Sequence, residues 1–309
     1  MIIFNFMNNI RYQIRPSTGR DIIKIGKYII KYSNNLYEIF YEYQNLLEIA
    51  SSNTKLFRVP KVINLIKGQN YGAIIMEYVS GHNLDNYILR FLLQKDMNTI
   101  KIFYKIGESL REFHNLNLSN LKINSLAATD FDLKNEITKL SEDLVKLGIV
   151  NEQFFSDISS IIKKYNIDSR IFMSASLHGE FYFTHIILHN GEIVFIDLHN
   201  AQRGPLYFDL AMFNISLYSS LMFLPWNPKS LIPLTRAFLL GYLGQNDDYF
   251  IKSLGLAELY IALREILSYV HALYTEGSFI RSLLSAFKIR RFKSVIDEII
   301  LSRLRAEIR

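Results

Sequence analysis

The chain has 309 residues, 50% hydrophobic and 14% aromatic, and this composition excludes an intrinsically disordered protein. It contains no cysteine, which excludes disulfides, thiolate metal sites and a cysteine nucleophile. The formal net charge of +6 favours an anionic ligand over a cationic one. A chain of this length accommodates one large domain or two lobes.

The N-terminal part of the chain, up to residue 79, shows short strand patterns separated by turns. Turn residues lie at 16–19 and at Gly26-Lys27, and Asn35 offers a helix N-cap. We predict strands or hairpin arms at 12–14, 21–25, 28–32, 59–63, 65–66 and 73–76, and one amphipathic helix at 36–50.

After residue 81 the apolar period changes from two to about 3.6, which is typical of helices. We predict helices at 84–93, 100–115, 131–147, 151–165 and over most of the chain from 207 onward, with a single β interruption at 177–197. The predicted fold class is therefore α+β with two lobes. The small β-rich N-lobe spans 1–79, and the larger, mainly helical C-lobe spans 80–309.

The start of the chain lacks the basic, apolar and small-residue regions of a signal peptide. The most membrane-like run, 206–224, is about long enough to span a bilayer. Because it contains Asp209 and Asn214, we interpret it as a buried core helix. These features, with the absence of cysteine, predict a cytoplasmic protein without a membrane span.

The most specific local pattern lies between residues 186 and 197. Asn190-Gly191 separates two apolar runs, and this pair readily takes the positive φ angles of a type I′ hairpin turn. The second run leads directly to Asp197. A carboxylate placed there costs several kcal/mol unless a cation or hydrogen bonds satisfy it. The pattern predicts a metal or phosphate site at Asp197.

Three motifs add to this pattern. His178-Gly179-Glu180 is followed by His185 and by Ile196-Asp197, and further along by Gly204-Pro205-Leu206-Tyr207-Phe208-Asp209-Leu210-Ala211. Together with the order of elements from 22 to 213, they resemble the aminoglycoside phosphotransferase and choline kinase-like family of the protein-kinase-like fold. The resemblance implies an enzyme that moves the γ-phosphate of ATP to a hydroxyl of a small molecule with the help of Mg²⁺.

The resemblance implies a metal ligand at Asp197 and a catalytic base at Glu180, where the family usually has Asp. The extra methylene moves the carboxylate by about 1.5 Å, and a shift of that size can lower the rate. The intrinsic pKa values of Glu and Asp are nevertheless close. Glu180 is therefore either the base or a structural residue in an inactive site.

His185 occupies the family's second metal position, where Asn is usual. Imidazole is a poorer Mg²⁺ ligand than an amide oxygen, so His185 either holds the metal or hydrogen-bonds Asp197 or a phosphate. A zinc site built from His178, His185, His189 and His199 is disfavoured by their spacing and by the lack of cysteine. If Glu180 and His185 do not support turnover, the chain is a pseudokinase that binds a nucleotide or a partner.

In the N-lobe, Lys31 resembles the strand lysine that contacts the ATP phosphates. Lys24 and Lys27 lie close enough in the sequence to be alternatives. The family pairs this lysine with a helix glutamate; Glu42 fits the spacing best, and Glu38 is the alternative one turn earlier.

Glu77 and Val79 resemble the link between the lobes, whose backbone would hydrogen-bond adenine. The turn at 16–19 falls where a loop would cover the phosphates, although it has a single glycine. The basic stretch 287–293 is interpreted as a solvated helix face, so no nucleic-acid partner is expected. The sequence leaves the acceptor, the choice of ATP or GTP, and the oligomeric state open.

Overall fold

The computed structural model describes residues 13–14, 21–123, 127–220, 227–275 and 279–308. The predicted turn at 16–19 lies outside these residues. The described strands are β1 (Gln13–Ile14), β2 (Asp21–Ile25), β3 (Tyr28–Ser33), β4 (Phe57–Arg58), β5 (Val62–Lys67), β6 (Gly72–Glu77), β7 (His82–Asn83), β8 (Lys122–Ile123), β9 (Ser174–Leu177), β10 (Ile186–His189), β11 (Glu192–Phe195) and β12 (Gln202–Pro205).

The described helices are α1 (Leu36–Ser51), α2 (Leu84–Gln94), α3 (Met97–His114), α4 (Asp130–Lys146), α5 (Glu152–Lys164), α6 (Tyr207–Tyr218), α7 (Ile232–Leu243), α8 (Asp248–Thr275), α9 (Phe279–Val295) and α10 (Ser302–Ile308). A π-helical turn at Ile296–Leu301 joins the last two. Short 3₁₀ turns lie at Ser169–Phe172, Phe183–His185, Leu198–Asn200 and Pro228–Leu231. The helices predicted between 84 and 165 are confirmed within three residues at each end.

The N-terminal sheet has the antiparallel order β1-β2-β3-β6-β5. The predicted hairpin around Gly26-Lys27 is confirmed, and Gly26 takes a positive φ of 56° in its turn. The predicted segments 59–63 and 65–66 form one strand, β5, which begins only after Pro60, a residue with no N–H to donate. Helix α1 packs against this sheet, with Asn35 capping its first turn.

The second sheet, in the order β4-β11-β10-β7, carries the predicted hairpin. Asn190 and Gly191 have φ angles of 51° and 85°, and the register pairs His189 with Glu192. The two-residue turn is therefore type I′, as predicted. Strand β4 lies parallel to β11, so a segment of the N-terminal part pairs directly with the hairpin.

The third sheet has the order β8-β12-β9. The prediction of a single β interruption in the C-terminal part was therefore wrong. The additional strands β7, β8, β9 and β12 contain two to four residues each. A segment so short shows no readable alternation, because its pairing partner lies far away in the sequence.

Helix α6 lies in the centre of the C-terminal core, and all of its residues are buried. The Asn214 amide N–H donates to Glu258 at 2.8 Å, and the Tyr218 hydroxyl lies 2.9 Å from the Thr235 hydroxyl. This confirms the interpretation of the membrane-like run as a core helix over the part that the structure describes, since 221–224 lie outside it. No described helix is long and apolar enough to cross a membrane.

Helices α3 and α7 pack against each other at two glycines. A Cβ atom added to Gly107 would lie 2.0 Å from the Phe238 carbonyl oxygen, and one added to Gly241 would lie 1.9 Å from that of Tyr104. Two glycines therefore allow the helix backbones to touch. The whole arrangement, a small sheet-rich N-terminal region followed by a larger helical part, confirms the predicted two-lobed α+β fold.

Candidate active site

The segment that begins at His178 is anchored to α6 by a buried carboxylate. Asp209 Oδ2 accepts from the backbone N–H of His178 at 2.7 Å, and Oδ1 accepts from that of Gly179 at 3.0 Å. His114 Nε2 lies 3.2 Å from Oδ2 and donates a third bond. Three donors compensate the burial of the Asp209 charge. Asp209 therefore fixes where the His178 segment starts.

The His178 ring joins this segment to the end of β11. Its Nε2–H donates to the Ile196 carbonyl at 2.9 Å, directly before Asp197. The ring is fully buried, and this desolvation lowers the pKa of His178 to about 4. His178 is therefore neutral at physiological pH and serves as a fixed brace.

Gly179 is required by a close approach between two chain segments. Its φ is +83°, in the left-handed region, and an added Cβ atom would lie 1.9 Å from the Asn200 carbonyl oxygen. A glycine has neither the side chain that would clash there nor the steric cost of that φ. This contact places Glu180 beside the turn at 198–200.

Asp197 follows β11 directly in a left-handed conformation, with φ 66° and ψ 58°, which Asp tolerates better than most residues. Its Oδ1 accepts from Lys31 Nζ at 2.5 Å and from His199 Nδ1 at 2.8 Å. Its Oδ2 lies 3.6 Å from His185 Nε2. Burial alone would raise the pKa of Asp197, but the His199 hydrogen bond and the Lys31 charge lower it well below its usual range.

Of the three candidate lysines, Lys31 is the one whose ammonium reaches Asp197. The same Nζ contacts the Glu42 carboxylate at 2.7 and 2.8 Å. Desolvation opposes the charge of Lys31, but attraction to the two carboxylates outweighs it and raises the pKa of Lys31. The Lys24 ammonium lies over the Tyr78 ring, 3.4 Å from its centre. The geometry thus distinguishes residues that the sequence left as alternatives.

Helix α1 holds Glu42 in place by docking onto the turn that follows Asp197. The Tyr41 hydroxyl donates to the Ala201 carbonyl at 2.6 Å, and the Asn45 amide donates to that of Leu198 at 3.2 Å. Tyr41 and Asn45, which flank Glu42 on the helix, therefore bind the helix to the turn that follows Asp197. This fixes the glutamate that pairs with Lys31.

The Glu180 carboxylate is oriented by two residues that the sequence analysis did not select. Asn200 Nδ2 donates to Oε1 at 2.7 Å, and His199 Nε2 lies 3.8 Å from Oε2. His199 thus lies between Glu180 and Asp197. Its position two residues after Asp197 was the available signal. The four histidines were judged by their spacing along the chain, which does not show their distances in space.

His185 lies between the same two acidic residues. Its Nδ1–H donates to the Glu180 backbone carbonyl at 2.8 Å, and its Nε2 faces Asp197. Among the described residues, Glu180, His185 and Asp197 each offer one potential ligand atom, and these atoms lie within 4.8 Å of one another. The structure therefore brings together the three residues predicted for catalysis and metal binding.

A cleft of about 320 Å³ lies between the N-terminal sheet and the hairpin. Six of the predicted site residues line it: Lys31, Glu42, Glu77, Val79, His185 and Asp197. Ile29, Met76 and Ile187 are among its apolar walls. Glu180 is not part of this lining and lies beside the end of the cleft where His185 and Asp197 are found.

At the other end of the cleft, several polar groups of Glu77 are already engaged. Its backbone N–H donates to the Lys61 carbonyl at 2.9 Å, and its side chain pairs with Arg58. Both of these Glu77 groups therefore already have partners within the protein.

Three solved structures share the architecture of this chain. A choline/ethanolamine kinase family protein from Mesorhizobium loti superposes with a TM-score of 0.63 and 12% identity over 97% of this chain and 92% of its own. Amicoumacin kinase hAmiN has a TM-score of 0.58 and 13% identity over 97% and 94% of the two chains. For aminoglycoside phosphotransferase APH(2″)-IIa the values are 0.56 and 13%, over 96% and 97%. At these identities the likeness defines the fold, which is the two-lobed kinase-like class.

Residues 36–221 match the model of the phosphotransferase enzyme family known as APH. Because the match spans more than half of the chain, the protein belongs to this family. Among proteins of curated function, none matches the sequence significantly. This is the family that the sequence motifs between His178 and Asp209 resemble.

Proposed function

We propose that this phosphotransferase moves the γ-phosphate of ATP to a hydroxyl group of a small molecule. The observation that carries the proposal is the cluster of Lys31, Glu42 and Asp197 at one end of a cleft, with Glu180 beside it. Phosphoryl transfer needs few groups: a lysine and a metal ion on the phosphates, and a carboxylate for the attacking hydroxyl. In this protein the lysine would be Lys31, the metal ligand Asp197 and the carboxylate for the hydroxyl Glu180.

In this proposal the nucleotide enters the cleft with adenine against the link at Glu77 and Val79. Lys31, held by Glu42, would then contact the phosphates. Ligand pockets measure about 300–1,000 Å³, so the cleft of about 320 Å³ lies at the lower end of that range and suits a nucleotide whose phosphates extend out of it. The amicoumacin kinase structure contains AMP-PNP and the APH(2″)-IIa structure contains ATP. We extend the nucleotide to this chain as part of the proposal.

Asp197 and His185 would hold a divalent ion, and the oxygens of Asp197 suit Mg²⁺, the ion implied by the family. A bound ion would neutralise charge on the transferred phosphate. The fit is supported by Asp197 itself, because both hydrogen bonds that it accepts within the described residues end on Oδ1. Its Oδ2 faces the space in front of His185.

Glu180 would accept the proton of the attacking hydroxyl. Asn200 fixes Oε1 by its 2.7 Å hydrogen bond, so the other oxygen can turn to the acceptor. The close approach of Gly179 to the Asn200 carbonyl supports this role, because it keeps Asn200 next to the loop that carries the longer Glu180 side chain. The activity is proposed to be cytoplasmic, where ATP is available.

The proposal is tested by transfer of labelled phosphate from ATP to a panel of amino sugars, choline-like alcohols, nucleosides and free sugars. Wild type should label at least one class of acceptor. Glu180→Gln keeps the shape and the Asn200 contact and removes the base, so transfer should fall by about 10²–10⁴-fold while ATP still binds. Equal transfer by both proteins would show that Glu180 is not the base.

A pseudokinase is the second candidate, and the observation that favours it is His185 in place of an amide ligand. The direct 2.5 Å contact between Lys31 and Asp197 points the same way, because in it the lysine is paired with the metal ligand. This candidate predicts that ATP binds and that no acceptor class is labelled. The same panel therefore separates the two functions.

A further inference from the structure

The orientation of His185 leaves one ring nitrogen available as a ligand. A backbone carbonyl only accepts hydrogen bonds, so the 2.8 Å contact with the Glu180 carbonyl places the proton on Nδ1. In the neutral ring, Nε2 then carries a lone pair. That lone pair faces Asp197 Oδ2, an acceptor, at 3.6 Å.

The separation of these two atoms is that of two ligands on one ion. At 3.6 Å, His185 Nε2 and Asp197 Oδ2 are too far apart for a hydrogen bond. Two ligands bound tetrahedrally at 2.0–2.1 Å are about 3.3–3.4 Å apart. A small inward movement of either side chain would place both on a shared metal ion.

Glu180 supplies a third ligand atom, and the charge of the surroundings favours a dication. The ligand atoms of Glu180, His185 and Asp197 all lie within 4.8 Å of one another. Among the described residues of this cluster, the three carboxylates of Glu42, Glu180 and Asp197 face one ammonium, that of Lys31. The cluster therefore carries about two negative charges when His185 is neutral.

A second trio, Glu42, Asp197 and His199, meets the same distance criterion. Lys31 already fills the space between its two carboxylates, with contacts of 2.5–2.8 Å, and His199 donates its Nδ1 proton to Asp197. We assign no ion to that trio.

We propose that Glu180, His185 and Asp197 form a site for a borderline divalent cation, Co²⁺ or Zn²⁺, which binds without nucleotide and in preference to Mg²⁺. Imidazole nitrogen suits these ions, whereas Mg²⁺ prefers oxygen ligands in near-ideal octahedral geometry. The inference deepens the proposed function, because it concerns the ion that Asp197 and His185 would hold and adds Glu180 as a ligand in the nucleotide-free protein. Metal binding is measured without ATP or acceptor.

The test uses the full chain with any purification tag removed and no nucleotide. Bound Co²⁺ is followed by its visible absorption and bound Zn²⁺ by calorimetry, each with and without an equal concentration of Mg²⁺. Wild type should bind one ion that Mg²⁺ does not displace. His185→Asn should weaken the binding of Co²⁺ and Zn²⁺ at least about tenfold, and His185→Asp, which replaces the nitrogen ligand with oxygen, should move the preference toward Mg²⁺.

The matched control is His189→Asn on the same hairpin, because the His189 ring bonds to the Ser80 carbonyl and does not belong to the cluster. It should bind like wild type, and melting curves should show that all variants fold. The inference is overturned if His185→Asn binds Co²⁺ as tightly as wild type, or if equal Mg²⁺ displaces Co²⁺. Phosphate transfer with Mg²⁺ and no nucleotide-free metal binding would overturn this inference alone and leave the proposed function standing.

Discussion

Alanine at position 179 tests how the His178 segment is placed against the turn at 198–200. Gly179 has φ +83°, and a Cβ atom added there would lie 1.9 Å from the Asn200 carbonyl oxygen. Gly191 has nearly the same φ, +85°, but a Cβ atom there would meet nothing within 4 Å. Gly191→Ala is therefore a control that shares the backbone strain and lacks the clash.

The expected loss of stability has two contributions, the strain of the left-handed backbone and the clash of the added Cβ atom. The left-handed conformation costs about 1–2 kcal/mol for alanine in both variants. In Gly179→Ala alone, the added Cβ atom and the Asn200 oxygen must also separate from 1.9 Å to a contact distance of about 3.3 Å. This requires a displacement of about 1.4 Å. Such overpacking adds about 1–3 kcal/mol, and a misplacement of about 1 Å at a catalytic group lowers rates about 100-fold.

The assays are thermal melting and phosphate transfer from ATP. Gly191→Ala should lower the melting temperature by about 2–4 °C per kcal/mol of strain and keep its activity. Gly179→Ala should melt lower still and lose about 100-fold in transfer. Equal melting temperatures and equal rates in the two variants would refute the close approach of Gly179 to Asn200.

Three further predictions concern the surrounding structure. Asp209→Asn should lower the free energy of unfolding by about 2–3 kcal/mol in urea titrations, because an amide NH₂ would face donors that the carboxylate now satisfies. Gly107→Ala should cost about 1–3 kcal/mol in the same measurement, because its Cβ would lie 2.0 Å from the Phe238 carbonyl oxygen. Burial raises the pKa of Glu265, even though a hydrogen bond from Tyr182 opposes the shift. A carboxyl group with a raised pKa stabilises the fold below its unfolded pKa, about 4.3, and this contribution is lost as pH rises through the folded pKa. Glu265→Gln cannot ionise, so its melting temperature should rise relative to wild type between pH 4 and pH 7, and an unchanged difference would contradict the assignment.

Much of the fold follows from patterns that are local in the sequence. Asn190-Gly191 takes the positive φ angles of a type I′ turn whatever surrounds it, so the hairpin could be predicted from two residues. The helices α2 to α5 could be predicted because each repeats its apolar face over at least three turns.

The strands that could not be predicted depend on distant partners. Phe57–Arg58 is a strand only because it lies parallel to β11, and the two segments are more than 130 residues apart. Its Phe57 ring stacks on Phe195 with centroids 4.7 Å apart. Two residues contain no periodicity, so tertiary packing alone makes this segment extended.

In the candidate site, too, some residues could be predicted from the local sequence and others depend on the fold. Asp197 could be selected from the sequence because an ionisable group directly after four apolar residues is locally unusual. The sequence favoured Lys31 but left Lys24 open as an alternative, and only the fold shows how the two differ in what their ammonium groups contact. His199 belongs to the site through its distances to Asp197 and Glu180, which no spacing rule contains.

The most direct measurement is the calorimetric affinity for ATP with Mg²⁺ or Mn²⁺, compared between Lys31→Met and Lys27→Met. Lys31 contacts Glu42 and Asp197 inside the cleft, whereas Lys27 is exposed in the hairpin turn before it. If Lys31 and Asp197 mark the phosphate end of a nucleotide cleft, Lys27→Met should bind like wild type. Lys31→Met should lose a charge-assisted phosphate contact of about 1.5–3 kcal/mol, which is about 10–150-fold in affinity. A folded Lys31→Met variant that binds ATP as tightly as wild type would contradict the account.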